Sequence, residues 1–273
     1  MFACYIVVSG FFEVCNKCTY RISFYFQSVR IRAYDVSHSP EIFLSSIVAV
    51  GAFNPAIFSP DWMEARGLIG ADDANVARTN KSYMVSSQVT AVQTEWFALQ
   101  VLENQFSVTS QGALTPALKD LAIGMLTLLP QTPISAIGLN FTGHYKMASH
   151  ADFNKIGDLL VPKKIWYDVF GKADAYVGMQ NITVAVQNAK REDNGTVTML
   201  SQDQLNITVQ PSGKVKLGVY ISCNEHRNIA SSELAEQTSA ERAASIVEAD
   251  WQNSWDKSSK AFDDLLTKML TEA

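Results

Sequence analysis

The most restrictive stretch of this chain is its last: residues 231–271 contain neither glycine nor proline. Val247, Trp251, Trp255, Phe262, Leu266 and Met269 recur through it at steps of three, four or seven, the period of one helical face. Asp250, Asp256, Lys257 and Lys260 fall on its other sides. At 1.5 Å per residue a helix over this stretch is about 60 Å long, longer than a small domain is wide. Its apolar stripe has to be covered, which demands a sheet beneath it, while one end is expected to project. The projecting part is expected to be residues 232–244, weakly apolar and rich in Ala, Glu and Ser.

Upstream, one order of elements occurs twice. Residues 41–50 are β-branched and apolar, a strand, broken at Asn54-Pro55. Ser59-Pro60-Asp61 starts a helix that ends at Gly67, and residues 70–80 read as a polar loop. Strands follow over residues 83–94, 96–102 and 105–109. The second of these is apolar on both faces, which predicts a central strand covered on both sides. Thr115-Pro116 then caps a helix reaching residue 129. The order resumes with a strand over residues 134–147, a helix capped by Ser149 and stopped at Val161-Pro162, and a short helix ended by Gly171. Strands over residues 175–188, 196–209 and 214–223 are joined by the turn signals Asp193-Asn194-Gly195 and Pro211-Ser212-Gly213. The long helix closes the chain.

These elements predict an α+β fold of two tandem strand-helix-meander-helix units, residues 41–131 and 132–273, with antiparallel sheets and a long C-terminal helix. Residues 1–40 differ, with three of the four cysteines and many aromatics. They read equally as an N-terminal extension or as added edge strands, bounded by Ser37-His38-Ser39-Pro40. The order of elements resembles tandem helix-grip arrangements, of which the TATA-binding protein fold is one layout. The resemblance implies a sheet gripping its helices and carries no activity with it.

Charge excludes one class of function. The net charge of −5 sits entirely in residues 231–273, where nine acids face four bases; the rest of the chain balances. No basic stripe exists to track phosphates, so nucleic-acid binding is disfavoured. A membrane span is disfavoured too. Residues 2–12 are too short, and the uncharged runs 42–60 and 121–143 are broken by Pro55 and Pro60 and by Pro130 and Pro133. Four cysteines make no disulfide framework in a chain of 273 residues, which points to free thiols and a cytoplasmic setting. There is no Gly-x-Ser-x-Gly elbow, phosphate loop or dinucleotide fingerprint, so no cofactor is expected.

What chemistry remains is sparse. Cys15-x-x-Cys18 with Cys223-x-x-His226 has the spacing of two ligand pairs for tetrahedral zinc. His144, His150, Asp152 and Asp158 gather nitrogen and carboxylate donors at a strand-helix junction, and Asp61 with Glu64 is a candidate carboxylate pair. Trp251 and Trp255, one helical turn apart, read either as partner anchors or as the cover of the chain's own sheet. The leading expectation is a protein that acts through contacts with a protein partner or a second copy of itself, with the acidic C-terminal helix as the contact element. The alternative is a small-ligand binder or cofactor-independent enzyme using a cavity between sheet and helices, lined by Asn140, His144 and Tyr145.

Overall fold

A computed structural model describes residues 38–112, 116–171, 176–229 and 236–271. The chain divides after Tyr34, and every described residue belongs to the part from Asp35 onward. In order come β1 (Ile42–Gly51), a 3₁₀ turn (Pro55–Ile57), α1 (Pro60–Ala65), α2 (Ala71–Thr79), β2 (Met84–Val85), β3 (Val89–Gln93), β4 (Phe97–Leu102), β5 (Gln105–Ser110) and α3 (Pro116–Leu128). Then follow β6 (Ile134–Lys146), α4 (His150–Leu160), α5 (Lys164–Phe170), β7 (Ile182–Val186), β8 (Ala189–Arg191), β9 (Val197–Met199), β10 (Gln204–Pro211), β11 (Gly218–Asn228) and α6 (Ser239–Thr271). Nine strands form one antiparallel sheet in the order β2-β3-β4-β5-β1-β6-β11-β10-β7, and β8 with β9 makes a separate ribbon. The fold is thus α+β, with a large antiparallel sheet and a long C-terminal helix. No helix of the described residues is long and apolar enough to cross a membrane.

Strand alternation sorts this sheet into two unlike faces. Ile47 and Ala49 of β1, Ile137, Leu139 and Phe141 of β6, and Val219, Ile221 and Cys223 of β11 are buried on the inner face. Phe97, Leu99, Val101, Phe106 and Val108 continue that face across β4 and β5. The strands of the two sequence halves meet where β1 runs along β6, from Ile42 opposite His144 to Gly51 opposite Ile134. A bulge falls between Val50 and Gly51, and Gly51 is there because a Cβ would stand 2.2 Å from the carbonyl oxygen of Pro133.

On the inner face α6 covers β6 and β11 and packs along α3. Trp251 sits 5.1 Å, centroid to centroid, from Phe141, and Trp255 sits 4.3 Å from Phe43. Lys119 of α3 adds an ion pair to Glu248 of α6 at 2.9 Å. The start of α6 is a capping box: the Thr238 hydroxyl accepts from the Glu241 N–H at 3.2 Å, and the Glu241 carboxylate accepts from the Thr238 N–H at 2.8 Å. The Thr238 N–H and then its hydroxyl, which also donates to this carboxylate at 3.0 Å, hold the Glu241 carboxyl below its usual range.

Several expectations are corrected. The helix is 33 residues and starts at Ser239, not at 231, because the capping box begins it there. Its first turns do not project: Ala240, Ala243 and Ala244 are buried, their small side chains allowing close approach. Residues 71–79 are a helix, not a loop, with Asp72 and Asp73 in the first turn and Arg78 in the last. The strand expected over 83–94 breaks at Ser86, whose hydroxyl accepts from the N–H of Val89 at 3.0 Å. β4 is covered on its inner face only, since Gln100 on the other face is exposed. β7 is shorter than the strand expected there, and β11 starts later and runs five residues past Cys223.

Candidate functional site

The three expected cavity residues do not converge. Asn140 and His144 lie on the outer face of β6, while Tyr145, the next residue in the strand, points to the inner face. Tyr145 is buried, with its ring edge-on to Phe262 at 6.3 Å. Burial first, then the charge of Asp263, pushes its phenol well above the usual range. His144 bonds the Ser212 hydroxyl at 2.7 Å through Nδ1 and packs 4.9 Å from the Tyr220 ring. Desolvation, helped by the nearby Lys214 ammonium, lowers its pKa, so the imidazole is neutral at pH 7.

The zinc reading loses its downstream pair. Cys223 and His226 are three apart in one continuous strand, which puts them on opposite faces of the sheet. Cys223 is buried, and burial pushes its thiol up to about 12, so it stays protonated and is a poor ligand. Cys15 and Cys18 lie outside the described residues. Among the described residues no three His, Cys, Asp or Glu side chains gather closely enough to hold a metal ion.

The other candidate carboxylates are taken. Asp152, in the first turn of α4, accepts from the hydroxyl of the capping Ser149 at 2.7 Å, and Asp158 pairs with Lys163 at 2.5 Å. Asp61 and Glu64 both bind the Arg78 guanidinium, each at 2.6 Å, and so tie α1 to α2. These two partners raise the pKa of Arg78, the Glu64 hydrogen bond most. Trp251 belongs to the buried core, and Trp255 is partly buried against it.

A buried polar cluster is present that residue spacing did not reveal. On the inner face of β11, Glu225 is 7 % exposed and accepts from the Ser254 hydroxyl of α6 at 2.9 Å. Arg227 reaches Glu225 at 2.9 Å, Asp203 at 3.5 Å and Asp250 at 3.6 Å. Cys223, Glu225 and Arg227 alternate down the strand while Asp250, Ser254 and Ser258 step one turn at a time along the helix. Read together, those two periods were the available signal. The cluster pins α6 and the Asp203 turn to β11; three carboxylates share one guanidinium, whose Nε is buried without a hydrogen-bond partner.

The outer face offers neutral polar rows. Register sets Asn206, Asn224, Asn140, Ser46 and Thr109 side by side across five strands. Thr183, Thr208, Ser222 and Thr142 form the next row. The Asn224 amide donates to the Asn140 carbonyl oxygen, and the Thr183 and Thr208 hydroxyls are 2.9 Å apart.

The strongest surface feature is a run of exposed apolar residues that includes β7. Of fourteen exposed large hydrophobic side chains among the described residues, ten fall between Ile165 and Leu200. The short helix α5 buries none of its residues. Val184 and Val186 of β7 stay about half exposed although they lie on the inner face, in register with Ile207 and Leu205 of β10. Among the described residues β7 is paired on one side only. A surface of this kind, apolar and beside an open strand edge, suits protein contact rather than catalysis. No protein-family model matches the chain, and no curated protein is significantly similar to it.

Proposed function

We propose that this chain works through protein contacts made at the β7 edge and the apolar side chains beside it. The observation that carries this reading is the crowding of ten of the fourteen exposed large hydrophobics into residues 165–200. Val184 and Val186 are half exposed on a face that is buried elsewhere in the sheet, and the strand edge, open among the described residues, adds unpaired backbone donors and acceptors. The contact element is therefore not the C-terminal helix, whose apolar face the core consumes. The neutral rows of the outer sheet face support the exclusion of nucleic acid, since they offer phosphates no cationic partner.

The test is site-directed photo-crosslinking from position 186 in cells that make the protein. The reading expects a discrete crosslinked protein product that Val184→Lys reduces. A chain that crosslinks to nothing from this edge, in any growth state, overturns it.

A second reading, small-ligand binding, draws on a cleft of about 340 Å³ beside α4, lined by Phe153, Ile156, Met179, Asn154, Asp158 and Lys163. That volume is at the lower end of ligand sites, roughly 300–1,000 Å³. Lys163→Ala would abolish any ligand-induced rise in melting temperature. We also read the sheet order as a tandem duplication of the helix-grip kind. Outward from the central pair run β1, β5, β4, β3 on one side and β6, β11, β10, β7 on the other, which supports that reading.

A further inference from the structure

We infer that the protein the β7 edge fits is a second copy of this chain, the two copies pairing β7 against β7 antiparallel about a two-fold axis at Val184. The inference rests on the protein-contact reading and names its partner. It comes from the chemistry of the edge itself. With Val184 opposite its own copy, Ile182 faces Val186 and Thr183 faces Ala185. Beyond the strand Asn181 faces Gln187 and Gln180 faces Asn188. Apart from Thr183 against Ala185, apolar residues meet apolar ones and amides meet amides, along a stretch that reads nearly the same chemically in both directions.

Charge agrees. Residues 176–189 contain no Asp, Glu, Lys, Arg or His, so self-pairing sets no like charges opposite each other. The two sheet edges also differ. The far edge is β2, two residues long, with Lys81 just before it, the short and charged form that resists pairing. β7 carries no charge, proline or bulge along its five residues. Its alternation keeps Ile182, Val184 and Val186 on the inner face in both copies, so their half-exposed side chains cover one another.

Area sets a further requirement. A stable interface removes about 800 Å² from each partner, more than a five-residue edge supplies. The adjoining ribbon supplies the remainder: Val197, Met199 and Leu200 are 42–66 % exposed, and the Leu200 N–H bonds the Asn188 carbonyl at 2.8 Å, just beyond β7. The assembled sheet would have eighteen strands, two copies of the nine.

The test uses the full-length chain in sedimentation equilibrium across the micromolar range, with amide exchange read on β7. The expected result is a species of twice the 30.1 kDa chain mass, with β7 amides protected more as concentration rises. Val184→Lys sets two ammonium groups together on the axis and should raise the dissociation constant roughly a hundredfold or more. Val184→Thr, neutral and β-branched, should leave it within a few-fold. Circular dichroism checks that both variants fold, as an exposed position allows. A monomer at every concentration overturns the inference, as does a dimer that Val184→Lys leaves intact. A photo-crosslinker at position 186 separates the two levels of the argument. Self-crosslinked dimer supports both. A product with a different protein, or a link into residues 1–37 of the same chain, defeats self-pairing, and only the former leaves the contact reading standing. No product at all defeats both.

Discussion

At the scale of single residues, close packing and burial decide most outcomes. Gly143 has no side chain because the Tyr145 ring lies where a Cβ would be, 2.5 Å from it. Gly51 meets the Pro133 carbonyl oxygen instead, at 2.2 Å. Backbone cannot swing aside as a ring can, so Gly51→Ala should cost about 1–3 kcal/mol in a urea melt, and more than Gly143→Ala. His144 titrates in a defined direction. Its pKa is lowered in the native state, so the unfolded chain takes up the proton first as pH falls. Stability should decline as pH drops through the ordinary histidine value of 6.5 and level off below the native one. In His144→Gln that decline, followed by urea midpoint from pH 8 to pH 5, should be shallower. Cys223, with a buried thiol pushed up to about 12, should resist alkylation at pH 8 and react only under denaturant, as peptide mapping would show. Except at Gly143, whose constraint is Tyr145 two residues on in the same strand, these environments are set by groups distant in sequence.

Among elements, α6 and β7 stand at opposite extremes of commitment. The apolar stripe of α6 is consumed by the sheet, with Trp251 3 % exposed against Phe141. Trp251→Ala should cost about 3–5 kcal/mol in chemical denaturation, whereas an exposed-face change such as Gln252→Ala should stay within about 0.5 kcal/mol. The Arg227 cluster binds the same helix through charge. Arg227→Met strands the buried Glu225, so it should lose about 2 kcal/mol; Arg227 is itself about a quarter exposed, which keeps the loss below that of a fully buried pair. The helix's existence and its buried stripe were legible, because a 3.6-residue period survives without tertiary information. Its start was missed, although Thr238-Ser239-Ala240-Glu241 has the spacing of a capping box. Nor could periodicity say that β7 lies at a sheet edge among the described residues, for an edge strand and a central strand alternate alike.

For the whole molecule, the joint between β1 and β6 governs behaviour. A fragment ending at residue 131 would bare the β1 edge along ten register positions and the α3 face that meets α6. Residues 35–131 and 132–273 made separately should therefore lack cooperative unfolding, and mixing them should restore it, by circular dichroism melts. Two fragments that each melt cooperatively would show instead that each half holds its own core.

Local period, turn residues and charge totals determined from sequence alone that this chain is α+β, mostly antiparallel, closed by a long one-faced helix, and without a basic surface. These properties depend on residues within a few positions of one another. Tertiary structure alone decided that one sheet spans both halves, that Asn140 and His144 face away from Tyr145, that Cys223 and His226 are parted by the sheet, and that Val184 and Val186 of β7 are left half exposed. The physical reason is the same in each case. A strand's alternation says which residues share a face, but only pairing across distant strands says which face is covered and which edge is left open.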